Sequence, residues 1–232
     1  VVEEAEPRES RATAYTTLAA GPDFRHELEI KRSRFITVLR RSGDEDGARA
    51  LVAGLRKEFH DARHHCSAFV LGPDRDIQRS SDDGEPSGTA GIPMLEALIR
   101  RETAPGVTDL SDVSAVVVRY FGGILLGAGG LVRAYSESVS SALDLAPLVR
   151  RSRLRICSVE VPHSAAGRLE NDLRAAGYVM AETSYGASTT VLRLALADQA
   201  EELERGAERL ASMTAGSAVL RPGETEWIDV PF

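Results

Sequence analysis

The chain has 232 residues, yet no stretch of it approaches the roughly 18 to 20 continuous apolar residues that a membrane-spanning helix needs. Its opening segment, VVEEAEPRESRATAY, is acidic and lacks a basic start followed by an apolar core. That excludes a secretory signal peptide and makes the cytoplasm the expected compartment, with no membrane partner. Only two cysteines are present, Cys66 and Cys157, far apart and without CxxC spacing. They support neither a disulfide framework nor a zinc knuckle and read as buried thiols. There is also no excess of positive charge: 28 Lys and Arg stand against 35 Asp and Glu, a formal charge of −7. A surface that grips nucleic acid everywhere is thereby excluded. A local basic face is not, because Phe24 to Arg150 carries 17 basic and 18 acidic residues.

Apolar residues make up 43% and charged residues 27% of the chain, which fits an ordinary soluble protein with one large or two small domains. Residues 1–20 are polar with little periodicity and read as a flexible leader. From Phe24 to Ile30 apolar and polar residues alternate, and Phe35 to Leu39 follows a basic turn, Lys31-Arg32-Ser33-Arg34. This pattern predicts a hairpin. The turn itself is either a solvated connection or a small anion-binding knob. Asp44 to Phe59 has helical spacing, Ser67 to Leu71 reads as a buried strand, and Gly72 to Ser80 as a charged turn. Val113 to Val118, VSAVVV, is the strongest strand signal and predicts a central strand. Pro147 and the run Arg150-Arg151-Ser152-Arg153 mark an expected boundary, giving domains at 21–147 and 151–232. The second reads βαββαβ, a ferredoxin-like order, with its last helix opened by a capping box at Asp198 and Glu201.

Two stretches concentrate the functional signal. Ser81 to Pro93, SDDGEPSGTAGIP, holds Asp82, Asp83 and Glu85 among successive turns and leads into a helix at Pro93. Arg119 to Tyr135, RYFGGILLGAGGLVRAY, follows the central strand and has five glycines between Gly122 and Gly130. A strand, a glycine loop and a helix in succession expose backbone N–H groups that favour a phosphate or carboxylate. Neither GxGxxG after the strand nor GxxxxGK[ST] is present, which removes the warrant for a dinucleotide or a nucleoside triphosphate. No cofactor is expected. His60, His64 and Cys66 match no closed zinc spacing, and no metal site is assigned. The candidate functional surface is Asp82, Asp83, Glu85, Arg119, Arg133, Gly122 and Gly123. Arg32, Arg34, Arg119 and Arg133 are the candidates for meeting nucleic-acid phosphates.

The strings KRSRF (31–35), HHCSA (64–68), SDDGEPSGTAGIP (81–93) and VVRYFGG…LGAGGLVRAY (117–135) resemble those of the IMPACT family, also called YigZ or UPF0029, in its bacterial two-domain form. The resemblance covers about Phe24 to Leu145. The C-terminal half is similar to the small DUF1949-like domain of those members. It implies an α+β protein of two domains, the first similar to domain 2 of ribosomal protein S5 and the second ferredoxin-like, as in translation factor G. Eukaryotic relatives act on a starvation-responsive kinase pathway through an extra N-terminal domain, for which there is no room before Phe24. That partner is therefore not expected here. One departure bears on the site: Ile124-Leu125 stands where the family often has Thr-Lys, which weakens an anion site at this loop.

The resemblance implies a non-enzymatic, translation-associated factor that binds RNA, the ribosome or a ribosome-associated protein. No catalytic residue is assigned. The alternatives are an enzyme, such as a metal-assisted hydrolase working through Asp82, Asp83 and Glu85, and a protein-interaction module.

Overall fold

A computed structural model describes residues 11–230; the first half of the expected leader lies outside the described residues. The chain forms two compact units, one ending at Arg150 and one beginning at Arg151, and both are α+β. No helix among the described residues is long and apolar enough to cross a membrane.

The first unit contains β1 (Ala14–Leu18), β2 (Phe24–Ile30), β3 (Ser33–Arg41), α1 (Glu45–Glu58), β4 (His64–Leu71), β5 (Ile77–Ser81), α2 (Gly91–Ile99), β6 (Val113–Tyr120) and α3 (Ala128–Leu145). Its sheet has the order β2-β3-β6-β4-β5, with every adjacent pair antiparallel. The predicted central strand is β6, and its continuous β-branched run has a simple cause. Val113, Ala115 and Val117 pack with α2 and α3, while Val116 and Val118 pack with Leu51 and Leu55 of α1. Both faces are covered, so alternation with polar residues disappears. Each fully buried valine is worth about 1.5–3 kcal/mol relative to exposure.

The expected leader ends sooner than its composition implies. Tyr15 to Leu18 are buried, and Thr16 exchanges backbone hydrogen bonds with Asp109 and Ser111 at 3.2 and 2.9 Å. The Tyr15 hydroxyl donates to Asp112. Ala-Tyr-Thr-Thr-Leu is too short and too polar to show a period, and only its distant partners make it a strand. The predicted charged turn from Gly72 also gives way to structure, because Ile77–Ser81 adds to the sheet edge beside β4. An edge strand tolerates exposed polar side chains on both faces, so its sequence looks like a loop. Helix α1 begins as expected, with Asp44 as its N-cap accepting from Gly47 N–H at 2.7 Å.

Strand β7 (Leu148–Pro162) runs through the expected boundary, so the basic run that marks it is itself strand. The second unit continues with α4 (His163–Ala175), β8 (Val179–Tyr185), β9 (Thr189–Ala197), α5 (Ala200–Thr214) and β10 (Arg221–Val230). Strand β7 pairs with β9 and β10, and β9 with β8. Leu169, Leu173, Leu192, Leu194 and Leu210 fill its core. The predicted capping box is not formed: Gln199 is the N-cap of α5 without a side-chain bond, and Asp198 pairs with Arg155 at 2.8 Å.

Candidate functional site

The Ser81–Pro93 loop leaves the sheet edge and lies over the ends of β4 and β6, and its three acidic side chains have three separate structural partners. Asp82 accepts from the backbone N–H groups of Gly88, Ala90 and Gly91 at 2.7, 3.0 and 2.8 Å. It thus serves the N-terminus of α2, whose own N-cap, Ala90, offers no side-chain acceptor. Desolvation pushes the Asp82 carboxyl upward, but the three N–H donors outweigh it and hold the group below its ordinary value. Close approach makes this possible. A Cβ at Gly91 would stand 2.7 Å from Ser81 N, so only glycine fits there.

Asp83 sits at φ +44 beside Gly84 at φ +84. Its carboxylate accepts from His65 N–H at 2.6 Å and pairs with Arg56 of α1. Its carbonyl lies 3.0 Å from His64 Nδ1. The pair of aspartates therefore ties the loop to α2, β4 and α1.

Glu85 turns inward. Its side chain is 4% exposed, and Oε1 accepts from Arg119 Nη1 at 2.6 Å and from the Tyr135 hydroxyl at 2.8 Å. The Arg119 guanidinium is also buried, between the rings of Phe35 and Phe121 with centroids 5.4 and 5.7 Å away. Tyr135 meets Phe35 edge-on at 5.3 Å. Cys66 completes the cluster, its thiol donating to Asp82 C=O at 3.0 Å while its sulfur lies 3.3 Å from the Tyr135 oxygen. Burial pushes the Cys66 thiol up to about 12, and burial again raises the Tyr135 phenol well above its usual value. Both groups remain protonated, so this is a hydrogen-bonded ion pair with neutral donors around it.

These contacts correct two expectations. Asp82, Asp83, Glu85 and Arg119 do not form the one functional surface expected of them, because Glu85 and Arg119 pair in the interior while Asp82 and Asp83 are taken up by backbone N–H groups and Arg56. Arg119 in particular is too buried to meet a phosphate. Among the described residues no group of three or more His, Cys, Asp or Glu side chains is placed to hold a metal ion. Tyr135 and Arg56 were not singled out from sequence. Tyr135 stood only as the last residue of the Arg119–Tyr135 string, and its pairing with Glu85 spans 50 residues.

The glycine loop has a different character. A Cβ at Gly122 would lie 2.0 Å from the Arg32 carbonyl carbon and oxygen, and its N–H donates to Ser33 Oγ at 3.2 Å. The loop is therefore seated on the β2–β3 turn. Pairing of Ile30 with Ser33 leaves Lys31 and Arg32 as a two-residue turn, and both have left-handed φ, +49 and +64. That is the turn type normally filled by Asn-Gly. Holding two L-residues with Cβ atoms there costs about 1–2 kcal/mol each. Both side chains are exposed, and neither forms an ion pair among the described residues. Arg34 is exposed too, but forks onto Glu27 at 2.8 and 3.0 Å and stacks on Tyr120. Arg133 projects from the exposed side of α3 without an ion-pair partner among the described residues. Gly123 at φ +85 and Gly127 at φ +72 shape the loop. Phe121, Ile124 and Leu125 stand out from it, Leu125 at 83% exposure.

The likeness to known proteins covers both units. Residues 31–143 match the family described as Impact N-terminal domain. "IMPACT family member YvyE" of Bacillus subtilis (strain 168) is 39% identical over 206 residues, covering 88% of this chain and 89% of that protein. "IMPACT family member YigZ" of Escherichia coli (strain K12) is 39% identical over 194 residues, covering 83% and 90%. A solved structure titled "Crystal structure of an hypothetical protein" is 37% identical, with a TM-score of 0.56 over 91% of this chain and 98% of that one. With the SDDGEPSGTAGIP loop built into a buried Glu85–Arg119–Tyr135 cluster and near full-length relatives at this identity, the chain belongs to the IMPACT (YigZ, UPF0029) family.

Proposed function

We propose that the protein is a cytoplasmic, translation-associated accessory factor that binds structured RNA through the β2–β3 turn and the adjoining glycine loop. The observation that carries this reading is the pair Lys31–Arg32. Strained backbone persists where surrounding structure enforces it, and it gathers at functional positions. Here it presents two uncompensated cations at a hairpin tip, fixed by the backbone of Gly122. Exposed Phe121 beside them supplies a face for a splayed base, while the cations meet phosphates. Arg133 and the uncapped N–H groups at the start of α3 extend the same chemistry. Arg34 contributes only by exchanging its Glu27 partner, and Arg119 acts indirectly by holding Phe35 and Phe121 in place.

Topology supports the finer fold reading as well. In the second unit βαββαβ order with strand sequence β10-β7-β9-β8 is the ferredoxin-like arrangement. The antiparallel sheet of the first unit is in keeping with a resemblance to domain 2 of ribosomal protein S5, and both plans are common among translation proteins.

The test is ribosome co-sedimentation and binding to structured ribosomal RNA fragments across salt concentrations, comparing the natural chain with Lys31→Asn/Arg32→Gly. That double variant keeps the turn geometry and removes both charges. Retention should fall, and the slope of log affinity against log salt should flatten by about 1.4–1.8 for two lost phosphate contacts. Unchanged retention and slope would refute the assignment.

A protein component of the ribosome is a second reading, favoured by the exposed apolar side chains of Ile92, Ile124 and Leu125. In that case Leu125→Ser reduces ribosome retention, while binding to isolated RNA is untouched.

A further inference from the structure

On the side of the first unit's sheet that carries α1, a cavity of about 290 Å3 lies between that helix and strands β4 and β6. This is just below the range of about 300–1,000 Å3 typical of small-molecule sites and fits a small ligand. Its apolar wall comes from Val52 and Ala53 of α1 and from Phe69 and Val116 of the sheet. Two hydroxyl residues, Ser67 and Ser114, stand in the same wall. The register explains their place: Phe69 pairs with Ser114 and Ser67 with Val116, on the face opposite α2 and α3.

Ser114 is the unusual member. It is 2% exposed, and its Oγ has no hydrogen-bond partner among the described residues. A buried hydroxyl left unpaired costs about 1–3 kcal/mol. At a position where alanine or valine would pack without that cost, the hydroxyl is a specificity element for something that enters the cavity.

The charged part of the lining is two arginines. Arg49 and Arg56 of α1 border the cavity. Their present partners are Glu45 and Asp46 for Arg49, and Asp83 for Arg56, with the two arginine side chains 65% and 54% exposed. Both guanidinium groups are more than half exposed, and pairs screened in this way are worth about 0–1 kcal/mol; Asp83 keeps its His65 N–H donor when Arg56 turns to a ligand carboxylate.

We propose that this cavity is a binding site for a small amphipathic carboxylate. Its apolar body lies against Val52, Ala53, Phe69 and Val116, a polar group at one end reaches Ser114 Oγ, and its carboxylate engages Arg49 and Arg56. The assignment is independent of the RNA-binding reading, since none of these residues belongs to the β2–β3 turn or the glycine loop.

The probe for testing it is 3-(4-hydroxyphenyl)propionate, which has a phenol, a ring and a carboxylate in that order. Methyl and amide NMR spectra of the full chain are followed during titration. Saturable shifts are expected at Ala48, Val52, Ala53, Ala115 and Val116. Tyramine, which replaces the carboxylate by an ammonium group, should bind at least about tenfold more weakly, the equivalent of one charge-assisted hydrogen bond. Arg56→Gln and Arg49→Gln should each weaken the carboxylate probe by about three- to tenfold. Ser114→Ala should abolish the preference for the phenol over 3-phenylpropionate. Ala53→Phe, on the exposed side of α1, fills the cavity without disturbing the core and should eliminate the shifts. The assignment is overturned if the shifts do not saturate, if tyramine binds as well as the carboxylate, or if Ala53→Phe leaves the titration unchanged.

Discussion

Replacing Glu85 by leucine isolates the energetic centre of the motif loop. Leucine matches the volume but removes the acceptor of two donors, Arg119 Nη1 at 2.6 Å and the Tyr135 hydroxyl at 2.8 Å. The Arg119 guanidinium, 7% exposed between two rings, is then a buried charge with no counter-ion. Breaking such a pair costs about 3–5 kcal/mol. The stranded phenol does not add in full, because both donors share one oxygen and their losses are coupled. Set against a typical domain stability of about 5–15 kcal/mol, this is a large fraction. With a urea m-value of about 2 kcal/mol/M, the unfolding midpoint of the first unit should fall by about 2 M. The probe must be chosen by unit. The single tryptophan, Trp227, is in the second unit, so its fluorescence reports on that unit and serves as an internal control. Far-UV circular dichroism reports both, and the first unit's transition is read as the phase that fluorescence does not follow. The companion variant Glu85→Leu/Arg119→Met places an apolar, flexible side chain between the rings. Removing both charges should recover at least half of the loss, since a buried pair is often matched by an apolar replacement. A single-variant cost under about 1 kcal/mol, or a double variant no more stable than the single, would refute the reasoning.

Two further outcomes follow from the loops. Gly122→Ala would set a Cβ 2.0 Å from the Arg32 backbone, so the hairpin tip and glycine loop must separate. A loss of about 1–3 kcal/mol or more is expected, with amide shifts at Lys31 to Ser33; an unchanged melting midpoint and unchanged amide positions would contradict this. Asp82→Asn removes the charge that the N–H groups of Gly88, Ala90 and Gly91 meet at the start of α2, costing about 0.3–2 kcal/mol at neutral pH. Because the Asp82 carboxyl is held below its ordinary value in the folded state, its contribution is complete above the unfolded value of about 3.9 and is lost as pH falls through the lower folded value. Acid unfolding of the first unit should therefore be less steep in Asp82→Asn, and equal steepness would show that Asp82 is not a major linkage site.

Local pattern was enough to locate most elements, because amphipathic periods and turn chemistry act over a few residues. The alternation of Phe24 to Ile30, the helical spacing of α1 and the β-branched run of β6 all appear where their periods place them. Strands β1 and β5 did not announce themselves. One is held by distant backbone partners, the other is an exposed edge, and neither condition leaves a periodic trace. The basic run at Arg150 to Arg153 read only as a boundary mark for the opposite reason: charge marked exposure, and exposure is compatible with a strand.

The motif loop divides along the same line. The sequence alone determined that Ser81–Pro93 and Arg119–Tyr135 are special and turn-rich, and it carried the family likeness, because those properties reside in residue identity and spacing. Only the tertiary structure decided what the charged residues do. A carboxylate in a Gly-rich turn looks the same whether it faces solvent, caps a helix or enters a core. Asp82 caps α2, Asp83 anchors α1 and β4, and Glu85 pairs with an arginine 34 residues away. The burial of Arg119 and the exposure of Lys31 and Arg32 likewise depend on which chains pass nearby, and that information lies in contacts rather than in sequence neighbours.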